Sequence, residues 1–499
     1  MTRSPSLRKA GILLHPTSLP GPHGIGDMGP MAHRFIRWLA ESGASIWQVL
    51  PLVPPGAGNS PYATCASLAS NPLLVSLDWL QEDGLLPERL PTPPVFSPDR
   101  VDFDGAAAYK VPLLRQAAAA LKKHPVLSSE LHAFCQRTPW IDDAALFLVL
   151  HRRFQRAWWE WDEPLRDRHP KAIDAARTSL QEDIELEIAL QFLFDRQWQE
   201  LRKLANSLGI SIVGDVPIYV DQDSVDTWLY REQFLYNEEG LADPVAGVPP
   251  DYFSETGQLW GNPIYNWECM AQDHFSWWKS RLRRALSLFD IVRLDHFRGF
   301  ASYWAVPRDA KDARPGSWMP GPKDAFFEAI RQDLGSLPLI AEDLGVIDDE
   351  VIALRDAFQL PGMKVLQFAF GDGPNHPFLP HNYNEHCVVY TGTHDNDTTL
   401  GWWRTAGDVV QDHVRRYLAV DGHDVVWDLI RSAMFSVART AIFPLQDLLV
   451  LASDARMNVP GVAESNWAWR VRADAFNSSV SGRFYDLVAL SGRLSVNNI

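Results

Sequence analysis

The chain has 499 residues, of which 46% are hydrophobic and 22% are charged, and its formal net charge is −16 at pH 7. These proportions are typical of a globular enzyme, and the length suits one elaborated barrel or two to three ordinary domains. The negative charge argues against nucleic acid and anionic membrane surfaces as partners, and no apolar run approaches the roughly 20 residues that span a bilayer.

Short apolar runs rich in β-branched residues predict a series of buried parallel strands. In chain order these runs cover residues 11–15, 45–50, 210–216, 290–295, 337–342, 363–368, 387–391 and 440–445. Segments with helical spacing lie between several of them, at 31–41, 274–289, 325–334 and 348–358. The repetition of strand and helix predicts an α/β fold with a parallel sheet, and a count of eight strands predicts closure into a (β/α)8 TIM barrel.

Two connections are too long for simple strand-to-helix loops. Segment 62–208, which follows the second strand and contains several helix-like stretches, predicts a mostly helical insertion. Segment 221–270 is rich in Gly, Pro, Tyr and Trp and predicts a second, irregular insertion after the third strand. Both insertions begin at the C-terminal ends of their strands, so we expect both to form walls of the active site on that face of the barrel. With no separate C-terminal β-domain apparent, residues 1–499 are expected to form a single catalytic barrel.

The cysteines and the N-terminus indicate in which cellular compartment the protein is expected. The basic N-terminus leads into an apolar stretch that is too short for the core of a signal peptide. The four cysteines are too far apart for a disulfide framework or a CxxC metal motif: Cys65, Cys135, Cys269 and Cys387. We therefore expect a cytoplasmic protein.

Three acidic residues follow predicted strands at the end where a barrel carries its chemistry. Asp295 ends the fourth run, Glu342 ends the fifth, and Asp395 follows the seventh. Carboxyl groups that converge in a cleft suggest glycosidic-bond chemistry. Arg293 shares a face with Asp295 because side chains alternate along a strand, and a guanidinium favours an ionised carboxylate. A purely structural Arg–Asp pair is the alternative.

Other polar positions at the strand ends leave more than one interpretation open. The apolar residues before Glu342 favour a raised pKa, as an acid needs, although a rim glutamate paired with an arginine is also compatible. Asp343 points the other way and is predicted to cap the following helix. The polar cluster 394–397 could bind a metal, cap a loop or clamp a substrate. Because its members are adjacent in the chain, they are poorly spaced to ligate one octahedral metal ion. Asp215 is expected to support the site rather than perform the chemistry.

Segment 247–263 carries glycines, stiffening prolines and aromatic residues. It is interpreted as a lid or groove wall, with a packed surface loop as the alternative. The chain has 20 tryptophans, several of which are expected to line a groove, because flat amphipathic rings stack on the apolar faces of sugars.

Taken together, several segments resemble the 4-α-glucanotransferase family, also called amylomaltase or disproportionating enzyme, which is glycoside hydrolase family 77 of the α-amylase superfamily. The segments with this resemblance are 14–20, 58–62, 214–217, 247–263, 293–299 (RLDHFRG), 341–345 (AEDLG), 391–398 (TGTHDNDT), 456–461 and 466–470.

The resemblance implies a role for each matching position. Asp295 would be the nucleophile, Glu342 the general acid and base, and Asp395 the third carboxylate, which binds sugar hydroxyls. The implied substrate-binding residues are Tyr62, Asp215, Asp251, Trp260, Arg293, His394 and Asn466.

The resemblance also implies a reaction without cofactor or metal. The substrates would be α-1,4-glucans and malto-oligosaccharides, with glucose as an acceptor, in a monomer or weak homodimer that serves maltose or glycogen metabolism. The alternatives are an α-1,4-glucan hydrolase of the same superfamily, a catalytically silent glucan-binding protein, and a metal-dependent barrel hydrolase. The last would need histidines clustered at strand ends, where this chain has mainly carboxylates.

Overall fold

The computed structural model describes residues 8–250, 254–462 and 464–494. The strands are β1 Lys9–Leu13, β2 Ile46–Gln48, β3 Ser211–Val216, β4 Val245–Val248, β5 Gln258–Pro263, β6 Ile291–Leu294, β7 Ser302–Val306, β8 Ser317–Pro320, β9 Leu339–Ala341, β10 Gly362–Val365, β11 Cys387–Tyr390 and β12 Thr440–Pro444.

The helices of the first half are α1 Pro30–Glu41, α2 Leu77–Glu82, α3 Phe103–Leu121, α4 Leu127–Arg137, α5 Ile141–Phe154, α6 Glu163–Arg166, α7 Pro170–Ser179, α8 Gln181–Ser207 and α9 Val225–Leu229. Those of the second half are α10 Trp267–Gln272, α11 Ser276–Leu288, α12 Lys323–Leu334, α13 Asp349–Ala357, α14 Thr399–Thr405, α15 Asp408–Leu418, α16 Val425–Phe435, α17 Leu445–Leu448 and α18 Ser478–Leu490.

A parallel sheet of eight strands forms the centre of the molecule. Its strand order is β10-β11-β12-β1-β2-β3-β6-β9. The two edge strands meet where the N–H of Ala341 donates to the carbonyl of Pro361 at 2.9 Å, so the sheet is a nearly closed barrel. Each of the eight predicted runs overlaps one of these strands, and the expected (β/α)8 barrel is confirmed.

Apolar side chains fill the barrel because alternate residues of each strand point inward. The interior cluster consists of Leu13, Ile46, Val213, Ile340, Met363, Val365, Val388, Tyr390 and Ile442. On the outer face of β3, a Cβ on Gly214 would lie only 2.0 Å from Phe289 Cδ2. Only glycine therefore allows the end of α11 to pack so closely against this strand.

Amphipathic helices form the outer layer of the barrel, and α1 is a clear example. Pro30 opens the helix in a position where the missing N–H costs nothing. The buried residues recur at helical spacing, and Phe35 packs between Trp47 and Phe476, with a ring distance of 5.4 Å to each. Burial of such a face, rather than local propensity, supplies most of the stability of a helix of this length.

Segment 62–208 holds the seven helices from α2 to α8. The longest, α8, is tied to the preceding loop by two glutamine side chains. Gln191 exchanges hydrogen bonds with the backbone of Ser70 at 2.7 and 3.0 Å. Gln197 does the same with the backbone of Ser76 at 2.7 and 3.1 Å. These bonds anchor the helical segment to the chain that leaves β2.

Segment 221–270 differs from the irregular insertion that was expected. It contains β4 and β5, which form an antiparallel sheet with β7 and β8 in the order β5-β4-β7-β8. The partners β7 and β8 come from the stretch after barrel strand β6. Pairing across this sequence separation left no local signal, because these strands are short, partly exposed and interrupted by glycine and proline.

After β12 the described residues form helices α17 and α18 and short turns, with no further strand. The expected absence of a C-terminal β-domain therefore holds for this part of the chain. Within the same described residues, no helix has both the length and the apolarity required to cross a bilayer.

Candidate active site

Arg293 and Asp215 lie side by side on neighbouring barrel strands, because the register of β3 and β6 pairs these two residues. Nη1 of Arg293 lies 2.9 and 2.7 Å from the two carboxylate oxygens of Asp215. The same nitrogen lies 2.8 Å from Oδ1 of Asp295, whose side chain is 27% exposed. A buried guanidinium thus holds the carboxylate that faces the barrel mouth.

For both Arg293 and Asp215, burial and the opposite charge of the partner shift the pKa in opposite directions. Burial alone would lower the pKa of Arg293, but Asp215 and Asp295 outweigh it and raise that pKa above its ordinary value. Burial raises the pKa of Asp215, and the adjacent Arg293 opposes that rise. The guanidinium therefore stays charged and remains available to both carboxylates.

Glu342 follows β9 directly and is buried. Its two oxygens accept hydrogen bonds from backbone groups rather than from an arginine: the N–H of His296 donates to Oε2 at 2.6 Å and that of Leu344 to Oε1 at 3.0 Å. Burial raises the pKa of Glu342 to about 8, against the opposing charge of Arg293 and with a further rise from Asp295. At neutral pH this carboxyl group is mostly protonated, as a general acid must be.

His296 connects the two carboxyl groups through the backbone. It follows Asp295 in the chain and has a positive φ of 49°, a conformation that non-glycine residues adopt at some cost. This turn aims its N–H at Glu342. Its ring meets Trp260 edge to face at 4.8 Å, and burial lowers the ring's pKa to about 4, so the imidazole is neutral. The sequence analysis did not single out this residue.

Asp395 follows barrel strand β11 and lies in a polar group with Asn458 and His394. Asn458 donates through Nδ2 to Oδ1 of Asp395 at 2.6 Å, and Nε2 of His394 lies 3.4 Å from Oδ2. Burial lowers the pKa of His394 even though Asp395 opposes that change, so its ring is neutral. The amide and the ring orient a carboxylate that is otherwise open to the cleft.

Tyr62 joins this polar group to the nucleophile side. Its ring stacks on His394 with a centroid distance of 5.2 Å and an interplanar angle of 9°. Its hydroxyl donates to Oδ2 of Asp215 at 2.8 Å, and Trp467 lies 5.6 Å away, ring to ring. The structure thus brings these predicted residues together at the C-terminal mouth of the barrel.

Three further predicted positions are Asn466, Trp260 and Asp251. The amide of Asn466 is taken up by the neighbouring loop, since it accepts from the N–H of Val459 at 2.9 Å and donates to the carbonyl of Val462 at 2.7 Å. The amide thus braces the loop, and its expected sugar contact stays a prediction. Trp260 is exposed beside His296, and Asp251 lies outside the described residues.

The expected helix cap at Asp343 is wrong. Its carboxylate accepts from the N–H of Met363 at 2.6 Å and pairs with Arg355 at 2.6 Å. The residue that caps α13 is Asp348, which accepts from the N–H of Val351. Asp343 instead ties β9 to β10 and to the helix between them.

Two other residues at the mouth were not identified as site residues from the sequence. Asn458 and Trp467 lie in segments with family resemblance, but only their spatial neighbours Asp395 and Tyr62 reveal their position. Among the described residues, the metal-like grouping of His, Cys, Asp and Glu is Glu163 with Asp167 and His169. It lies around α6 in segment 62–208, and Asp167 already pairs with two arginines.

The arrangement is typical of one class of protein: enzymes that cleave glycosidic bonds with a carboxylate nucleophile and a protonated carboxylic acid. Comparisons with known proteins specify the family. A family model described as 4-alpha-glucanotransferase matches residues 14–475. The 4-alpha-glucanotransferase of Synechocystis sp. is 50% identical over 495 residues, which cover 97% of this chain and 98% of that protein.

The 4-alpha-glucanotransferase of Thermus thermophilus is 47% identical over 499 residues, which cover 98% of this chain and 99% of that protein. Among solved structures, an amylomaltase from Streptococcus agalactiae in complex with acarbose matches with a TM-score of 0.95 and 35% identity, over 98% of this chain and all of that one. The chain belongs to the 4-α-glucanotransferase family, which confirms the expectation from its motifs.

Proposed function

We propose that this protein transfers α-1,4-glucan segments from a donor malto-oligosaccharide to the 4-hydroxyl of an acceptor glucan or glucose. The observation that carries the proposal is the pairing of two unlike carboxyl groups at one barrel mouth. Asp295 is held by the charged Arg293, whereas Glu342 has a pKa raised to about 8. One group is suited to attack and the other to donate a proton.

In the first step a carboxylate oxygen of Asp295 attacks the anomeric carbon of the donor. The bond from that carbon to the glycosidic oxygen breaks, and the proton of Glu342 passes to this oxygen, so the leaving chain departs with a free 4-hydroxyl. The product is a glycosyl ester on Asp295. Asp395, which Asn458 orients, would bind hydroxyls of the distorted sugar ring.

In the second step the 4-hydroxyl of the acceptor attacks the same carbon. Glu342, now ionised, takes the hydroxyl proton, and the ester bond to Asp295 breaks. A new α-1,4 bond forms, and two inversions retain the configuration. The cycle returns both carboxyl groups to their starting protonation states, so the scheme requires no cofactor.

For transfer to prevail over hydrolysis, an acceptor sugar must react with the glycosyl ester on Asp295 faster than water does. Trp260, on β5 of the antiparallel sheet, contacts the ring of His296, whose backbone N–H donates to Glu342. A bound acceptor beside Trp260 would exclude water. The related amylomaltase from Streptococcus agalactiae was solved in complex with acarbose, which supports the proposal that this fold binds a ligand at its site.

A cytoplasmic location and a monomeric or weakly dimeric state belong to the same proposal. The four cysteines are all free, as suits a reducing compartment. Light scattering of the purified protein over a range of concentrations tests the oligomeric state.

The function is tested by incubating the pure protein with maltotriose alone and separating the products by length. Transfer predicts glucose together with a ladder of glucans longer than the substrate. Glucose and maltose without any longer product would show that water is the acceptor and would refute the proposal. The Asp295→Asn variant, purified in the same way, controls for contaminating enzymes and should give neither pattern.

A further inference from the structure

A buried carboxylate contacts both ends of the loop that carries Asp395. Asp447 is only 1% exposed and belongs to the short helix α17, directly after barrel strand β12. Within the described residues its two oxygens contact hydroxyl and N–H groups of Thr391 and Thr399, and none of these is a cation. A carboxylate is costly to bury without a cation, and these hydrogen bonds offset that cost.

The contacts of Asp447 join the two ends of residues 391–399, here named the Asp395 loop. Oδ2 of Asp447 accepts from the hydroxyls of Thr391 and Thr399, each at 2.6 Å. Oδ1 accepts from the N–H of Thr399 at 2.8 Å. Because Thr391 directly follows β11 and Thr399 begins α14, one carboxylate fixes both the start and the end of the loop.

The base of the Asp395 loop is closely packed around this clamp. Thr391 and Thr399 are fully buried, and Nε2 of Gln367 donates to the carbonyl of Asp397 at 2.9 Å. A Cβ on Gly392 would lie only 2.6 Å from the same nitrogen. The base of the loop therefore has little room for another arrangement.

The tip of the loop is held by residues from the same stretch of chain as Asp447. Nη2 of Arg456 donates to the carbonyl of Asp395 at 2.6 Å. Asn458 donates to the carboxylate of Asp395 through its side chain and to the carbonyl of His394 through its N–H at 3.1 Å. The chain that follows β12 thus holds the Asp395 loop at its base and at its tip.

We propose that Asp447 is a positioning residue for Asp395: by joining Thr391 to Thr399 it fixes the loop that places the third carboxylate at the barrel mouth. The proposal rests on the proposed function and deepens it, because it assigns a buried residue that does not touch the substrate to the geometry of the reaction. A displacement of about 1 Å, caused far from the chemistry, can lower a rate about 100-fold.

The kinetic test uses α-maltosyl fluoride as donor, because this activated substrate keeps the reaction of weakened variants measurable as fluoride release. Asp447→Ala removes all three hydrogen bonds and should lower kcat/KM about 10- to 100-fold. Thr391→Val keeps the volume of the side chain and removes one of the bonds, and it should lower kcat/KM about three- to tenfold.

Asp226→Ala is the matched control. Asp226 is also 1% exposed and also accepts three hydrogen bonds from neutral groups, two from Ser67 at 3.1 and 2.8 Å and one from Trp277 at 3.2 Å. It lies on α9, and its partners belong to segment 62–208 and to α11 rather than to the Asp395 loop. Its loss should leave kcat/KM within about twofold of wild type.

The effect of Asp447 should depend on Asp395. In the Asp395→Asn background, adding Asp447→Ala should lower kcat/KM by no more than about twofold, because the group that the clamp positions is already lost. A loss as large as in the wild-type background would overturn the proposal, since Asp447 would then act on the whole site. Full kcat/KM in folded Asp447→Ala would also overturn it. If Asp447→Ala does not fold, Thr391→Val decides by the same comparison.

Hydrogen exchange of the backbone amides tests the clamp without turnover. Asp447→Ala and Thr391→Val should speed exchange in residues 391–399 about tenfold, whereas Asp226→Ala should leave it unchanged. Exchange in this loop that stays at the wild-type rate in all three variants would overturn the clamp. If the wild-type protein transfers nothing from maltotriose, the proposed function has failed, and the exchange rates still decide whether Asp447 holds the loop.

Discussion

The protonation of Glu342 can be tested through the pH dependence of the first chemical step. With a pKa of about 8 the group is about 90% protonated at pH 7, whereas with the ordinary value of 4.5 it would be only about 0.3% protonated. Burial therefore increases the active acid form about 300-fold at neutral pH. Above pH 8, kcat/KM for maltotriose should fall about tenfold for each further pH unit, because the proton needed by the leaving oxygen is lost.

The assay is the initial rate of glucose release from maltotriose between pH 6 and 10, at substrate concentrations well below KM. A donor with fluoride as leaving group provides the control, since fluoride departs without an acid. The alkaline decline should be absent when ester formation from α-maltosyl fluoride is followed. Glu342→Gln should lose turnover of maltotriose but still react with the fluoride.

Two results would refute this reasoning. A maltotriose profile that stays flat to pH 10 would mean that Glu342 is not the group that donates the proton. The same decline with the fluoride donor would assign the pH dependence to binding or to folding. Unfolding measured by circular dichroism over the same pH range separates those two causes.

Three further changes test individual side chains. Asp295→Asn should lower kcat at least about 10⁴-fold, because an amide is not a nucleophile, while the melting temperature stays close to that of the wild type. Asn458→Ala should lower kcat/KM for maltotriose about tenfold, because the 2.6 Å hydrogen bond that orients Asp395 is lost. Tyr62→Phe keeps the ring but removes the 2.8 Å hydrogen bond to Asp215 and should lower the free energy of unfolding by about 1–2 kcal/mol, measured in urea.

Each of these expectations has a contrary outcome. Turnover of Asp295→Asn within severalfold of wild type would end its assignment as nucleophile. If Asn458→Ala kept full kcat/KM, the orientation of Asp395 would depend on the backbone alone. An unchanged unfolding midpoint in Tyr62→Phe would show that water replaces the hydroxyl at Asp215 without cost.

The barrel and its carboxyl groups were predictable because the signals are local. A barrel strand is buried on both faces and so appears in the sequence as a continuous apolar run. The chemistry of such a fold lies where these runs end, which was enough to single out Asp295 and Glu342. The register of neighbouring strands then makes the contact between Asp215 and Arg293 a consequence of the fold.

The second sheet was not predictable in the same way. Its strands β4, β5, β7 and β8 are short and partly exposed, and they come from two segments separated by barrel strand β6. Their stability comes from pairing across the chain rather than from a local apolar run. Without that sheet the contact of Trp260 with His296 could not be inferred.

By itself the sequence determined the fold class, the family and the positions of the acidic residues at the strand ends, because runs of residues and their spacing carry that information. Only the tertiary structure decided how each polar group is satisfied. In the folded chain Asn466 accepts a hydrogen bond from a neighbouring loop, Asp343 pairs with Arg355, and the N–H of His296 donates to Glu342. The physical reason is that a buried polar atom must find a partner, and which partner lies within 3 Å depends on elements that are distant in the chain.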